Sequence, residues 1–157
     1  MNSTLVVPSA RARAADVARH LVSMTKDGME QLKLQKLLYY CQAGSLAWTP
    51  RPMFLDRIEA WANGPVVVPI WNSHRYEAWI SDVPEGEPLM DANAVAIASQ
   101  IFQNFGHYTP QQLSDMTHAE EPWLEARRNL PAGARGSTPI SINSMRAYYR
   151  ARWGGQT

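Results

Sequence analysis

The sequence predicts a mainly α-helical (α+β) fold: a compact domain around one buried central helix, with a small two- or three-stranded antiparallel β element. Three observations lead to that class. Leu32 to Trp48 (L-K-L-Q-K-L-L-Y-Y-C-Q-A-G-S-L-A-W) is apolar on most sides of a helix, and from Leu37 to Trp48 only Gln42 and Ser45 are strongly polar. A helix of that kind belongs in the middle of a domain. Several further stretches show apolar stripes at helical spacing behind recognisable caps. Alternating, strand-like patterns are confined to short runs after Phe54 and after Ala78.

Met1 to Pro8 forms a leader. Ser9 offers an N-cap to a first helix whose stripe is Ala14, Val17, Ala18, Leu21 and Met24, with Lys26-Asp27-Gly28 as its stop. The central helix spans about 30–49, its scaffold face formed by Leu34, Leu37, Leu38, Cys41 and Trp48. Gly44 in its interior costs roughly 1 kcal/mol against alanine, and is expected to admit another backbone at close range. Thr49-Pro50-Arg51-Pro52 ends the helix, because residues before proline avoid helical angles.

Ile58, Ala60 and Ala62 fall on one side of a strand, and Glu59 and Trp61 on the other. Asn63-Gly64-Pro65 breaks the strand, and Pro65 opens a short helix reaching about Ser73. A second strand over Ala78 to Val83 is expected to pair with the first. Asp91 caps a helix bearing Ala94, Ile97, Ala98, Ile101 and Phe105, which Gly106 terminates. Thr109-Pro110-Gln111-Gln112 starts another helix as a capping box, ending near His118. Pro122 opens a helix over Trp123 to Arg128. Ser141 or Asn143 caps a last one, with Met145, Tyr148 and Tyr149 inside, Arg146, Arg150 and Arg152 outside, and frayed residues after Trp153.

The 157 residues form one domain with a core over about 12–152, large enough to bury a core without staples. With 45% hydrophobic and 18% charged residues the chain is globular. A formal net charge of +1 speaks against strong non-specific nucleic-acid binding. The single cysteine, Cys41, rules out a disulfide framework and a multi-cysteine metal site. No run approaches the roughly 20 apolar residues of a membrane span, so the expectation is a soluble, cytoplasmic protein with no membrane partner.

Catalytic groups are sparse. Cys41 faces a packed core with no nearby charge, unlike a reactive thiol. His20, His74, His107 and His118 show no metal-ligand spacing, and no cofactor or metal is expected. His118 and Glu121 stand three residues apart, but Pro122 interrupts the helix that would align them. A hydrolase using His118 and Glu121 is therefore an alternative rather than the leading reading. Arg127, Arg128, Arg135, Arg146, Arg150 and Arg152 make the last third basic. They would serve a small DNA-binding regulator, though no recognition motif accompanies them. The aromatics are more informative. Trp61, Trp71, Trp79 and Trp123, with Tyr39, Tyr76, Phe54 and Arg75, have the composition of an interface patch near loops and element ends.

Several of these stretches together resemble the Panacea domain, typified by SocA-type antitoxins. The residues are Lys33-Leu34-Gln35-Lys36-Leu37-Leu38-Tyr39-Tyr40 with Gln42 and Trp48, then Arg51-Pro52-Met53-Phe54 and Ile58-Glu59-Ala60-Trp61-Ala62-Asn63-Gly64-Pro65-Val66. His74-Arg75, Leu113-Ser114, Thr117-His118, Pro122-Trp123 and Ala126-Arg127 continue the match. The resemblance implies a non-catalytic antitoxin encoded beside its toxin, often on prophages, which neutralises that toxin by direct contact. In the SocA branch it also implies an adaptor delivering the toxin to the ClpXP protease. On that basis Trp61, Asn63, Gly64, Pro65, Trp71, His74, Arg75, His118 and Trp123 are the expected toxin-binding residues. The toxin's identity and the oligomeric state are not written in the sequence.

Overall fold

The computed structural model describes residues 9–154. In chain order the elements are α1 (Ala14–Ser23), β1 (Met29–Glu30), α2 (Gln31–Trp48), β2 (Ile58–Trp61), β3 (Gly64–Val67), α3 (Val68–His74), β4 (Trp79–Ile80), α4 (Ala92–Phe105), α5 (Pro110–His118), α6 (Glu121–Ala126) and α7 (Ile142–Trp153). The mainly α class holds. The expected leader, Met1 to Pro8, lies outside the described residues.

Every residue of α2 from Leu34 to Ala47 is buried, because α1, α4, α5, α7 and β3 all pack on it. Leu34, Leu37, Leu38 and Cys41 are fully enclosed, and burial pushes the Cys41 thiol far up. Trp48 departs from the scaffold expected of it. It is 40% exposed and stacks on Trp153 at 5.8 Å. A Cβ on Gly44 would lie 2.8 Å from the Trp48 ring and 3.2 Å from an Ile97 methyl. The glycine thus makes room for side chains, not for the second backbone expected there.

Three helix starts follow the sequence signals. Asp91 accepts from the Ala94 N–H, Thr109 and Gln112 form a reciprocal capping box, and Ser141 accepts from the Ser144 N–H. The start of α1 does not. Its N-cap is Arg13 rather than Ser9, and the Ala14 N–H donates to Asp56 at 3.0 Å, a partner 42 residues away. Helix α1 also stops at Ser23, well before Gly28. Gly28 adopts φ +100°, and a Cβ there would sit 2.3 Å from the Ile80 carbonyl oxygen. Its role is to let β1 and β4 meet.

The β structure is two ribbons rather than one sheet. β4 pairs antiparallel with β1, not with the Ile58 strand as expected, and β2 pairs with β3. Pro65 lies in β3 opposite Ala60 instead of opening a helix. Helix α3 begins at Val68, with Pro69 in its first turn. Residues 138–140 run beside β2, where the Ala60 N–H donates to the Thr138 carbonyl (2.8 Å) and the Ile140 N–H to that of Ile58 (2.9 Å).

Where α6 starts beside α2 and α7, Glu120 is enclosed by tyrosines. The hydroxyls of Tyr40 (2.8 Å) and Tyr149 (2.7 Å) donate to it, and Tyr39 lies 3.1 Å from Tyr149. Burial holds the Glu120 carboxyl above the usual range, and the two hydroxyl donors offset only part of that. Since the folded value lies above the unfolded one, the unfolded chain loses this proton first as pH rises. Glu120 therefore contributes stability at low pH that is lost as pH climbs from the ordinary glutamate range through its folded value. Denaturant unfolding of Glu120→Gln against the parent across pH 4 to 7 should show that slope missing in the variant.

Candidate functional site

The best-built site lies where the β2–β3 hairpin crosses α2. Ala62 and Asn63 form its two-residue turn, both at negative φ, and Gly64 follows at φ +119°. Glycine after such a turn restores the strand twist that an ordinary turn would splay. A Cβ on Gly64 would also fall 2.5 Å from Lys36 Cε and 3.1 Å from Thr117 Oγ1. Both angle and space therefore demand glycine.

Five side chains hold the hairpin by its main chain. Gln35 Oε1 accepts from the Val67 N–H (2.7 Å), and Lys36 Nζ donates to the Pro65 carbonyl (3.3 Å). Ser114 donates to the Asn63 carbonyl (2.7 Å), and the Trp123 indole to that of Trp61 (2.9 Å). The buried Arg127 guanidinium donates to Ala60 (2.9 Å) and to Ala134, tying hairpin to loop. Trp61 is aimed by Glu59, which accepts its indole N–H at 2.8 Å while receiving Arg57 at 2.5 Å. Trp71 from α3 meets Trp61 edge-on at 5.4 Å.

These residues enclose a cavity of about 590 Å³, lined chiefly by Trp61, Trp71, Leu32, Val66, Lys36 and Arg135. A smaller one of about 360 Å³ lies on the far side of Leu32, Lys36 and Asn63. Lys36 is 1% exposed. Burial pulls its ammonium down to about 8, and among the described residues no ion pair compensates it.

The expected binding residues divide into three groups. Trp61, Asn63 and Trp71 share the cavity, with Gly64 and Pro65 buried behind them. His118 and Trp123 stack at 4.1 Å on the inner side of the hairpin, and Trp123 is 8% exposed. Burial first, and the Lys36 charge second, hold the His118 imidazole below its usual range. His74 and Arg75 lie at the far end of α3. His74 is buried between Glu77 (3.2 Å) and Glu85 (2.7 Å), whereas Arg75 is exposed. Of the wider aromatic patch, Tyr39 and Phe54 are core residues, while Tyr76 and Trp79 are exposed.

No hydrogen bond joins His118 to Glu121 among the described residues, and Glu121 is exposed. Several C-terminal arginines are committed within the fold. Arg150 reaches the Leu46 and Thr49 carbonyls at the end of α2, Arg146 reaches Pro50, and Arg127 is buried. Sequence reasoning missed Gln35, Lys36, Glu59, Arg127 and Arg135 as parts of the site. For Lys36 the signal existed, since it is a charge set among leucines that helical spacing turns inward.

Two outcomes follow. Gly64→Ala should destabilise the fold by about 2 kcal/mol or more, read from denaturant midpoints, because it adds a left-handed alanine to a steric clash. For Lys36, the folded value lies below the ordinary lysine value of 10.5. Between about 8 and 10.5 the unfolded chain keeps a proton that the folded one releases, so stability rises with pH across that window. Lys36→Met should remove that rise and be the more stable protein at pH 7.

No curated protein matches the chain, and neither does any solved structure. One family does match, described as "Antitoxin SocA-like, Panacea domain", over residues 34–124. That span runs from the buried face of α2 through the hairpin and its cavity to α6, more than half of the chain, and the chain belongs to this family.

Proposed function

We propose that this protein is an antitoxin that neutralises a cognate toxin by direct protein–protein contact and catalyses no reaction. The match over residues 34–124 carries this reading. The geometry supports it, because the matched span holds, midway along it, a surface of oriented aromatics suited to contact. Trp61 and Trp71 are half-buried, locked by Glu59 and by each other, and Arg75 and Tyr76 stand exposed further along the same segment. Rigid aromatics beside arginines are what interface hot spots are made of, because little side-chain freedom is lost on binding. An interface of roughly 1,200–2,000 Å² would cover them.

Within this reading the nine candidate residues act in two ways. Trp61, Asn63, Trp71 and Arg75 touch the toxin. Gly64, Pro65, His74 and Trp123 are buried and His118 half-buried within their own chain, and these five set the surface's shape. Delivery of the bound toxin to the ClpXP protease is a further step that the SocA likeness brings. The protein works in the cytoplasm, where that protease resides.

Co-expression with the product of the adjacent gene tests the reading. Growth should be rescued and the two proteins should co-purify; toxicity that this protein leaves unrelieved would count against it for that pair. Trp71→Ala should weaken the complex by about 2 kcal/mol, roughly thirtyfold in Kd, with the melting temperature little changed.

A further inference from the structure

The cavity between the hairpin, α2 and α3 carries an excess of hydrogen-bond donors that the fold leaves unused. Gln35 is fully buried, and its Oε1 is taken by Val67, yet its Nε2 has no partner. Lys36 has three N–H donors and a single bond, the 3.3 Å contact to Pro65. Arg135 sits exposed at the rim and enters no ion pair among the described residues. Among the described residues no aspartate or glutamate lines the cavity. Trp61, Trp71, Leu32 and Val66 give it an apolar wall, and Asn63 and Ser137 add uncharged polar groups. Buried donors without acceptors are costly and natural folds seldom leave them so. A cavity of about 590 Å³ also falls within the usual size of ligand sites.

We propose that this cavity binds a carboxylate carried on an apolar body, with the carboxylate meeting Lys36 and Gln35 and the body lying against Trp61 and Trp71. A carboxylate supplies the charge and the acceptor lone pairs that this donor set lacks. Arg135 at the mouth draws the anion in. The shift of Lys36 toward neutrality is consistent with a charge held without a counterion, and a bound anion reverses it. Two sources offer this chemistry: an acidic side chain or C-terminus of a bound toxin, and a free carboxylic acid. Only the first rests on the antitoxin reading; the site itself does not.

Phenylacetate is the probe, titrated into the full chain and followed by tryptophan fluorescence and by the indole N–H signals in NMR spectra. Phenylacetamide, the same shape without charge, is its control. Saturable binding of the acid, at least tenfold tighter than the amide, is expected. Lys36→Met should weaken it about tenfold, the loss of one charge-assisted bond. Arg135→Ala, at an exposed residue that the core does not need, should weaken it two- to threefold. The toxin complex separates the sources. If Lys36→Met also lowers toxin affinity and phenylacetate competes with the toxin, the carboxylate is the partner's. If toxin affinity stays unchanged while the acid still binds the parent, the ligand is a free acid. Equal binding of acid and amide, or binding indifferent to both variants, overturns the proposal. So does an absence of acid binding at millimolar concentration together with unchanged toxin affinity in Lys36→Met.

Discussion

The fold depends on how one helix with no solvent-facing side satisfies its own polar groups. Between Leu34 and Ala47 every residue of α2 is buried, so polar side chains there depend on partners within the protein. Gln31, Gln35 and Gln42 lie within about 40° of one another on a helix that turns 100° per residue. That stripe grips the main chain of segments that follow. Gln31 donates to the His74 and Glu77 carbonyls, Gln35 accepts from the Val67 N–H, and Gln42 accepts from the Met53 and Phe54 N–H groups and donates to the Phe54 carbonyl. Leucines on the same helix supply the burial energy but tolerate sliding. The amides do not, because a shifted strand would leave buried donors and acceptors unpaired at about 1–3 kcal/mol each. The register of the hairpin and the entry to β2 follow from that requirement.

The hairpin is where this constraint becomes a surface. Main-chain groups of β2 and β3 are held by Lys36, Ser114, Trp123 and Arg127, which leaves the side chains of Trp61 and Asn63 free to project. Gly64 lets the turn close against the lysine stem. The result is a rigid edge whose aromatics are positioned by groups beneath them rather than by contacts between themselves alone.

What the sequence disclosed, and what it hid, divides along the range of the interactions. Helix α2, the Asp91, Thr109 and Ser141 caps and the fully buried Leu34, Leu37, Leu38 and Cys41 were legible, since each depends on neighbours three or four residues away. The cap of α1 was not, because its partner Asp56 comes from 42 residues downstream. Neither was the pairing of β4 with β1. Two-residue strands have no periodicity to detect, and Gly28 reads as a helix stop unless the Ile80 carbonyl above it is known. At the candidate site, Trp61, Asn63, Gly64 and Trp71 were proposed from their composition around a turn and share or border one cavity. Gln35, Lys36 and Arg127 were passed over because polar residues on a helix look like solvated surface until the helix is known to be enclosed. Trp48 erred in the opposite direction, as an apolar residue at the right spacing but at the last position of α2, where Trp153 covers only part of its ring.

Comparison among the buried ionisable groups singles out one of them. Arg127 has two carbonyls, His74 has two carboxylates, Glu59 has an arginine and an indole, and Glu120 has two phenols. Each of these has two partners, and the buried Arg11 side chain, though its Nε is unpaired, has the Asp91 carboxylate. Lys36 is as deeply buried as any of these, yet among the described residues it holds one long bond to a carbonyl and faces a cavity without acids. A methionine of similar length would fill the same volume with no desolvation penalty. Keeping an ammonium there lowers stability, and in natural proteins such losses collect at sites where a partner supplies what the fold withholds. The position of Lys36 beneath the best-oriented aromatics of the molecule puts that deficit at the surface most suited to contact.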